Sequence, residues 1–135
     1  MQVETLDHIH IYSAHPEESA LFYRERFNAI EIVRNENIHK QTRIFLALAG
    51  QVVVIGPFPP DIEPARPGAA GDGAYRHGFG VAHFGLRVAD VVAATEELRE
   101  AGVKILGEPV LEPGGLSYSY IEAPDGVVLE LTQYA

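Results

Sequence analysis

The chain has 135 residues, 47% hydrophobic and 21% charged, the balance of a folded domain with a real core, which excludes an extended disordered chain. Its formal net charge of −9, with no local Lys/Arg cluster to offset it, disfavours phosphate backbones and anionic membrane surfaces; no nucleic acid is expected as a partner, and a small molecule is. There is no cysteine, so disulfides, thiolate metal sites and cysteine nucleophiles are excluded, and any metal must be held by nitrogen and oxygen.

From the N-terminus, residues 5–13 read as a strand in which Leu6, Ile9 and Ile11 are interrupted by His8, His10 and Tyr12. Period-two alternation places these three on one face. Pro16 suits the first turn of a helix, and Ala20, Leu21, Phe22 and Phe27 supply apolar positions before Asn28, a left-handed stop. The helix is expected over 16–27. Residues 29–33, 43–48 and 51–55 are three short β-type runs, the last two joined by Ala49-Gly50 as a tight hairpin. Five of the nine prolines then fall within 57–67, and Gly68, Gly71, Gly73 and Gly78 follow. This composition predicts a linker or lid over about 57–80, and Tyr75, Arg76 and His77 give it side chains able to touch a ligand.

The second half repeats the first. Asp7-His8-Ile9-His10-Ile11-Tyr12 returns 75 residues later as Ala82-His83-Phe84-Gly85-Leu86-Arg87, and at the same offset Arg24-Glu25 falls on Arg99-Glu100. A strand over 81–88 leads to a helix capped by Asp90 and closed near Gly102, then to strands near 103–107, 117–122 and 127–133, with a turn at Ala123-Pro124-Asp125-Gly126. The fold class is therefore α+β: two tandem βαβββ modules, the first about 1–56 and the second about 81–135, in one domain. One module has too little core to stand alone. No apolar run approaches the roughly 20 residues that span a bilayer, and the N-terminus lacks a secretory pattern, so a cytoplasmic location is expected.

Three side chains stand out once strand parity is applied: His8, its repeat His83, and Glu130 inside Val127-Val128-Leu129-Glu130-Leu131. If Val127, Leu129 and Leu131 face the helices, Glu130 faces the surface that carries the histidines. A carboxylate sheltered there needs a metal, a cation or hydrogen bonds to offset its desolvation. Taken singly, each residue reads more readily as an ordinary core or surface group than as a ligand. Two imidazoles and one carboxylate together are the ligand set of non-haem Fe(II) sites with open positions, and they also suit Zn, Mn, Co or Ni.

On these residues the chain resembles the vicinal oxygen chelate superfamily, the group of glyoxalase I, extradiol dioxygenases, methylmalonyl-CoA epimerase and the fosfomycin- and bleomycin-resistance proteins. The resemblance rests on His8 placed 15 residues before Tyr23 in Leu21-Phe22-Tyr23-Arg24-Glu25, on Val81-Ala82-His83-Phe84-Gly85-Leu86-Arg87-Val88, and on Tyr120-Ile121-Glu122-Ala123-Pro124-Asp125-Gly126 running to Glu130. It implies that paired modules form a curved, barrel-like sheet around one divalent metal held by His8, His83 and Glu130, with a substrate chelating that metal through adjacent oxygens. Fe2+ is the favoured ion, with Zn2+, Mn2+, Ni2+ or Co2+ as alternatives. It also implies a homodimer.

Departures from the family pattern narrow the reaction. The fourth ligand that glyoxalase I and the epimerase place on the fourth strand is missing: Val53 and Val54 stand there, and Gln51 lies near the hairpin. Residues 43–48 also supply no carboxylate base. A three-ligand site leaves room for a chelating substrate and dioxygen, which favours dioxygenase-type chemistry over glyoxalase- or epimerase-like lyase or isomerase chemistry. Tyr120 matches a family position near the substrate, but the histidine preceding it in extradiol enzymes is absent. His10, beside His8 on the same face, is the substitute proton-transfer group, with ligand lining as its equal alternative. Tyr12 and Arg87 share that parity and are candidates for an anionic substrate group, Arg87 equally for pairing with a carboxylate. His15 and His39 read as surface residues. From a different class, a non-enzymatic antibiotic-binding resistance protein remains, although a pure binder has no need of a carboxylate on the ligand face.

Overall fold

The computed structural model describes residues 1–63 and 80–135. Most of the linker expected at 57–80, including Tyr75, Arg76 and His77, lies outside the described residues. The chain divides into two compact units, Met1–Pro64 and Ala65–Ala135. No helix among the described residues is long and apolar enough to cross a membrane.

The first unit runs β1 (His8–Tyr12), α1 (Pro16–Phe27), β2 (Ile30–Glu36), β3 (Thr42–Leu48) and β4 (Gln51–Gly56). Its four-stranded sheet has the order β1-β4-β3-β2, with β1 parallel to β4 and the other pairs antiparallel. The hairpin at Ala49-Gly50 forms as expected because both residues accept positive φ, 48° and 86°, the combination that matches the twist of two-residue hairpins. Asn28 closes α1 in the left-handed conformation, φ 55°. Within α1 the buried positions are Ser19, Ala20 and Tyr23, whereas Leu21 is 45% exposed, so Tyr23 takes the inward place that apolar spacing had assigned to Leu21. Helix α1 packs on β3 and β4, where Ile44, Leu46 and Ile55 are buried, as is Ile11 of β1.

β2 extends three residues beyond its expected end, through the polar Arg34-Asn35-Glu36. Its backbone still finds partners there, Asn35 opposite Arg43 and Glu36 opposite Thr42, because a ladder on an edge strand asks nothing of side-chain polarity. A register shift between Glu31 and Val33 breaks the alternation that had marked the strand.

The second unit repeats the order as β5 (Phe84–Arg87), α2 (Val91–Glu100), β6 (Lys104–Val110), β7 (Leu116–Glu122) and β8 (Val128–Tyr134), with a single 3-10 turn at Pro124–Gly126. Its sheet order is β5-β8-β7-β6, the same topology as the first. Asp90 caps α2 by accepting from the Ala93 amide at 2.9 Å, and Gln133 of β8 accepts from the Val91 amide at 2.8 Å. A buried Thr95–Ser119 hydroxyl pair at 2.7 Å ties α2 to β7. Leu129 and Leu131 are buried with Ile121, in keeping with the alternation read along β8. The expected strand at 81–88 is shorter at its start: pairing begins with Phe84 opposite Leu129, because β8 itself begins only at Val128 after the turn.

Candidate functional site

In the second unit three of the expected side chains meet. His83 sits immediately before β5, and its Nε2 lies 3.0 Å from Glu130 Oε2. The cause is register: Gly85 pairs with Glu130 across β5 and β8, and Glu130 pairs with Tyr120 across β8 and β7, so the three strands bring one row of side chains to one face. The Tyr120 hydroxyl donates to Glu130 Oε1 at 3.3 Å, and its ring stands edge-on to His83 with centroids 5.4 Å apart. The Glu130 side chain is only 15% exposed. Both carboxylate oxygens are thus engaged, which is the compensation a sheltered carboxylate requires.

Two glycines lie along this row, and the first of them is needed for it. A Cβ at Gly107, the β6 partner of Tyr120, would lie 3.1 Å from Tyr120 Cδ2, so the ring occupies space that only glycine leaves free. Gly85 has no side chain to stand between His83 and Glu130; a Cβ there would come within 4.0 Å of Glu130 Oε2. Neither residue had been singled out from the sequence, since the signal is a glycine opposite an aromatic, visible only once strands are paired.

In the first unit, His8 and His10 stand at alternate positions of β1, with Ile11 buried on the opposite side. His8 Nδ1 lies 2.7 Å from Asp7 Oδ2. A carboxylate accepting from one ring nitrogen fixes the tautomer and leaves Nε2 with its lone pair, the arrangement that accompanies metal-ligating histidines. Asp7 is a residue sequence reasoning passed over, although it directly precedes His8. The His10 ring packs against Tyr12, centroids 5.0 Å apart, and Tyr12 in turn meets Phe58 edge-on at 5.0 Å. Burial lowers the pKa of His10 from its ordinary value, and the neighbouring charges of His8 and Arg43 act in the same direction. Gln51 turns its amide toward the carbonyls of Asp7 and Val52, at 3.5 and 3.2 Å.

Arg87 places its guanidinium 4.4 Å from the centre of the Tyr134 ring. No carboxylate among the described residues pairs with it. His15 and His39 are exposed, as expected of surface residues.

The donors of the second unit fit a divalent metal. Metal–nitrogen and metal–oxygen bonds of about 2.1 Å at right angles put the two ligand atoms about 3.0 Å apart. The His83 Nε2 to Glu130 Oε2 separation equals that edge, and it is equally the length of an imidazole–carboxylate hydrogen bond. Within either unit, no group of three His, Asp or Glu gathers as a metal cluster among the described residues. His83 Nδ1 is buried with no hydrogen-bond partner among the described residues.

Residues 5–131 match the family model of the Glyoxalase/Bleomycin resistance protein/Dioxygenase superfamily. No curated protein matches the sequence. Among solved structures, the fosfomycin resistance protein FosX from Listeria monocytogenes is similar at 18% identity and a TM-score of 0.73, over 99% of this chain and 96% of that one. A glyoxalase family protein from Enterococcus faecalis is similar at 22% identity and a TM-score of 0.75, over 98% and 99%. A further FosX structure, 18% identical with a TM-score of 0.68 over 99% and 95%, is a complex with Mn(II) and sulfate. At these identities the likeness speaks for the fold.

Proposed function

The chain belongs to the glyoxalase/bleomycin resistance protein/dioxygenase superfamily, and from that premise we propose that it is a divalent-metal-dependent enzyme acting on a small substrate with two vicinal oxygens. The observation that carries this reading is the Tyr120–Glu130–His83 row: a sheltered carboxylate set beside an imidazole, with one oxygen already held by a hydroxyl. His83 and Glu130, with His8 as the third ligand, would hold the metal. When bound, it would act as a Lewis acid on the substrate oxygens or as an oxygen-activating centre.

The chain's own groups have distinct parts in this reading. Asp7 holds the His8 ring so that Nε2 points its lone pair outward. Tyr120 orients Glu130 through Oε1 and leaves Oε2 to face His83. His10, whose pKa is lowered chiefly by burial, would accept a proton from a substrate hydroxyl on a ring nitrogen. Dioxygenase-type chemistry stands first, because three protein ligands leave positions for substrate and dioxygen together and Val54 supplies no fourth. Lewis-acid chemistry of the lyase or isomerase kind stands second, favoured by the Mn(II) found in a FosX structure. A homodimer also belongs to the proposal: the edge strand β2 exposes all seven of its residues, Ile30, Ile32 and Val33 among them, and would be covered by a second copy.

The test is metal titration of chelator-stripped protein, followed by oxygen uptake with Fe(II) and a catechol panel and by turnover of hemithioacetals with Mn(II). The expected result is a saturable divalent site abolished by Glu130→Ala. If stripped wild type binds no divalent ion, or His8→Ala titrates like wild type, the metalloenzyme reading fails and the non-enzymatic binder takes its place. Activity on hemithioacetals with no oxygen uptake would reverse the order of the two chemistries.

A further inference from the structure

Arg43 shares with Arg87 the lack of a carboxylate partner among the described residues, but it alone of the two is held by hydrogen bonds that an amide and a carbonyl accept. Arg34, Arg99 and Lys104 each meet carboxylates, whereas Arg43 pairs with none among the described residues. Neutral acceptors hold it instead: its Nε donates to Asn35 Oδ1 at 2.8 Å, and Nη2 reaches the Glu36 carbonyl at 3.5 Å. The guanidinium also lies 5.9 Å from the centre of the Phe45 ring. Its orientation is therefore set, and no carboxylate among the described residues neutralises its charge. Arginine held in this way presents a preoriented fork of donors suited to a carboxylate or phosphate.

Its neighbours are residues of the His8 face. Tyr12 pairs with Gly56 across β1 and β4, and Arg43 precedes Ile55's antiparallel partner Ile44 by one place, so Tyr12, Gly56, Arg43 and Asn35 share a row across the sheet. A Cβ at Gly56 would lie 3.3 Å from both Arg43 Cγ and His10 Nε2. Glycine there lets the imidazole and the arginine stem close over the β4 backbone from two sides, with the Tyr12 and Phe58 rings forming an apolar wall alongside. Along β1, the Tyr12 row stands about 13 Å from His8 at roughly 3.3 Å per residue.

We propose that Arg43, with His10 Nε2 beside it and Gly56 as the floor, receives an anionic group of the substrate, a carboxylate or a phosphate-type oxyanion, set apart from the vicinal oxygens that approach His8. This rests on reading the His8 face as the substrate face, and it assigns specificity to a residue with no part in holding a metal. The substrate class that follows is an acid whose anionic end stands well apart from its chelating oxygens.

The test uses chelator-stripped protein, so it does not depend on a metal. Amide and arginine Nε–H resonances would be followed while sodium phosphate, or separately sodium succinate, is added against sodium chloride at matched ionic strength. Saturable shifts at Gly56, Asn35 and Arg43 Nε–H are expected, weakened at least tenfold in Arg43→Gln and partly retained in Arg43→Lys. Saturation by phosphate alone would identify a tetrahedral oxyanion, and by succinate alone a carboxylate. The proposal is overturned if neither anion saturates these signals, or if Arg43→Gln, with its remaining spectrum unchanged, responds like wild type. A protein that binds anions here but no divalent ion would retain this site and lose the metalloenzyme reading.

Discussion

The two βαβββ units build the same frame and put opposite chemistry in it. Across β5, β8 and β7 the paired row is Gly85, Glu130 and Tyr120; across β1, β4 and β3 the row at the same place is His10, Val54 and Phe45. Where the second unit has a carboxylate held by a phenol, the first has an apolar pair under an imidazole. A duplicated backbone thus supplies equivalent stations, and single side chains decide which of them is a ligand and which a lining. The tight glycine moves too: in the second unit it is Gly107 against the Tyr120 ring, while in the first it is Gly56, beneath His10 and Arg43.

If the frames are equivalent, their cores should be equally costly to damage. Leu46 and Ile121 occupy matching buried places, both at 0% exposure. Leu46→Ala and Ile121→Ala should each lose about 2–5 kcal/mol of stability, read by denaturant unfolding. A large inequality would mean that the units do not share one packing plan.

The stations themselves should differ sharply. Glu130→Ala should weaken divalent-metal affinity by on the order of 100-fold or more, whereas Val54→Ala should leave it nearly unchanged, by calorimetric titration. Tyr120→Phe, which deletes the donor to Glu130 Oε1, should cost about tenfold, the lower end for a group that orients a ligand. Gly107→Ala should act in the same direction, because the added Cβ pushes the Tyr120 ring away from its present position. Phe45→Tyr adds the same hydroxyl to the first unit, where the matching residue is Val54, and should confer nothing.

The smallest effect concerns how each helix is tied to its outer strand. Arg34 of β2 bridges Glu17 of α1 and Glu31, and in the second unit Arg99 of α2 bridges Glu96 and Glu108 of β6, so the positive partner has changed sides. Hydrogen bonding to Arg34 holds the Glu17 carboxyl below the usual glutamate range. A depressed folded pKa contributes stability above the unfolded value that is lost as pH falls through it. Because the Glu17 side chain is largely exposed, solvent screening keeps the contribution of the pair small. Glu17→Gln should therefore flatten the acid limb of the thermal stability profile slightly and leave its neutral plateau almost unmoved.

Much of this was legible without coordinates because it is local. Asn28, Ala49-Gly50 and Asp90 announce their turns and cap through backbone preferences that operate over a few residues. The alternation at His8, His10 and Tyr12 and the place of Glu130 between Leu129 and Leu131 follow from the two-residue strand period. The polar end of β2 escaped notice because an edge strand is held by its backbone, and the start of β5 was overextended because its limit lies in where β8 begins.

The sequence by itself determined the two-module plan, the strand faces and the identity of the candidate ligands, because periodicity and turn chemistry are written in neighbouring residues. Only the tertiary structure decided that His83 meets Glu130 at 3.0 Å, that Tyr120 rather than another group holds the carboxylate, and that Arg43 comes to lie beside His10. Those contacts depend on register between strands distant in the chain. Shifting any one of those strands by a single residue would turn its side chains to the other face of the sheet.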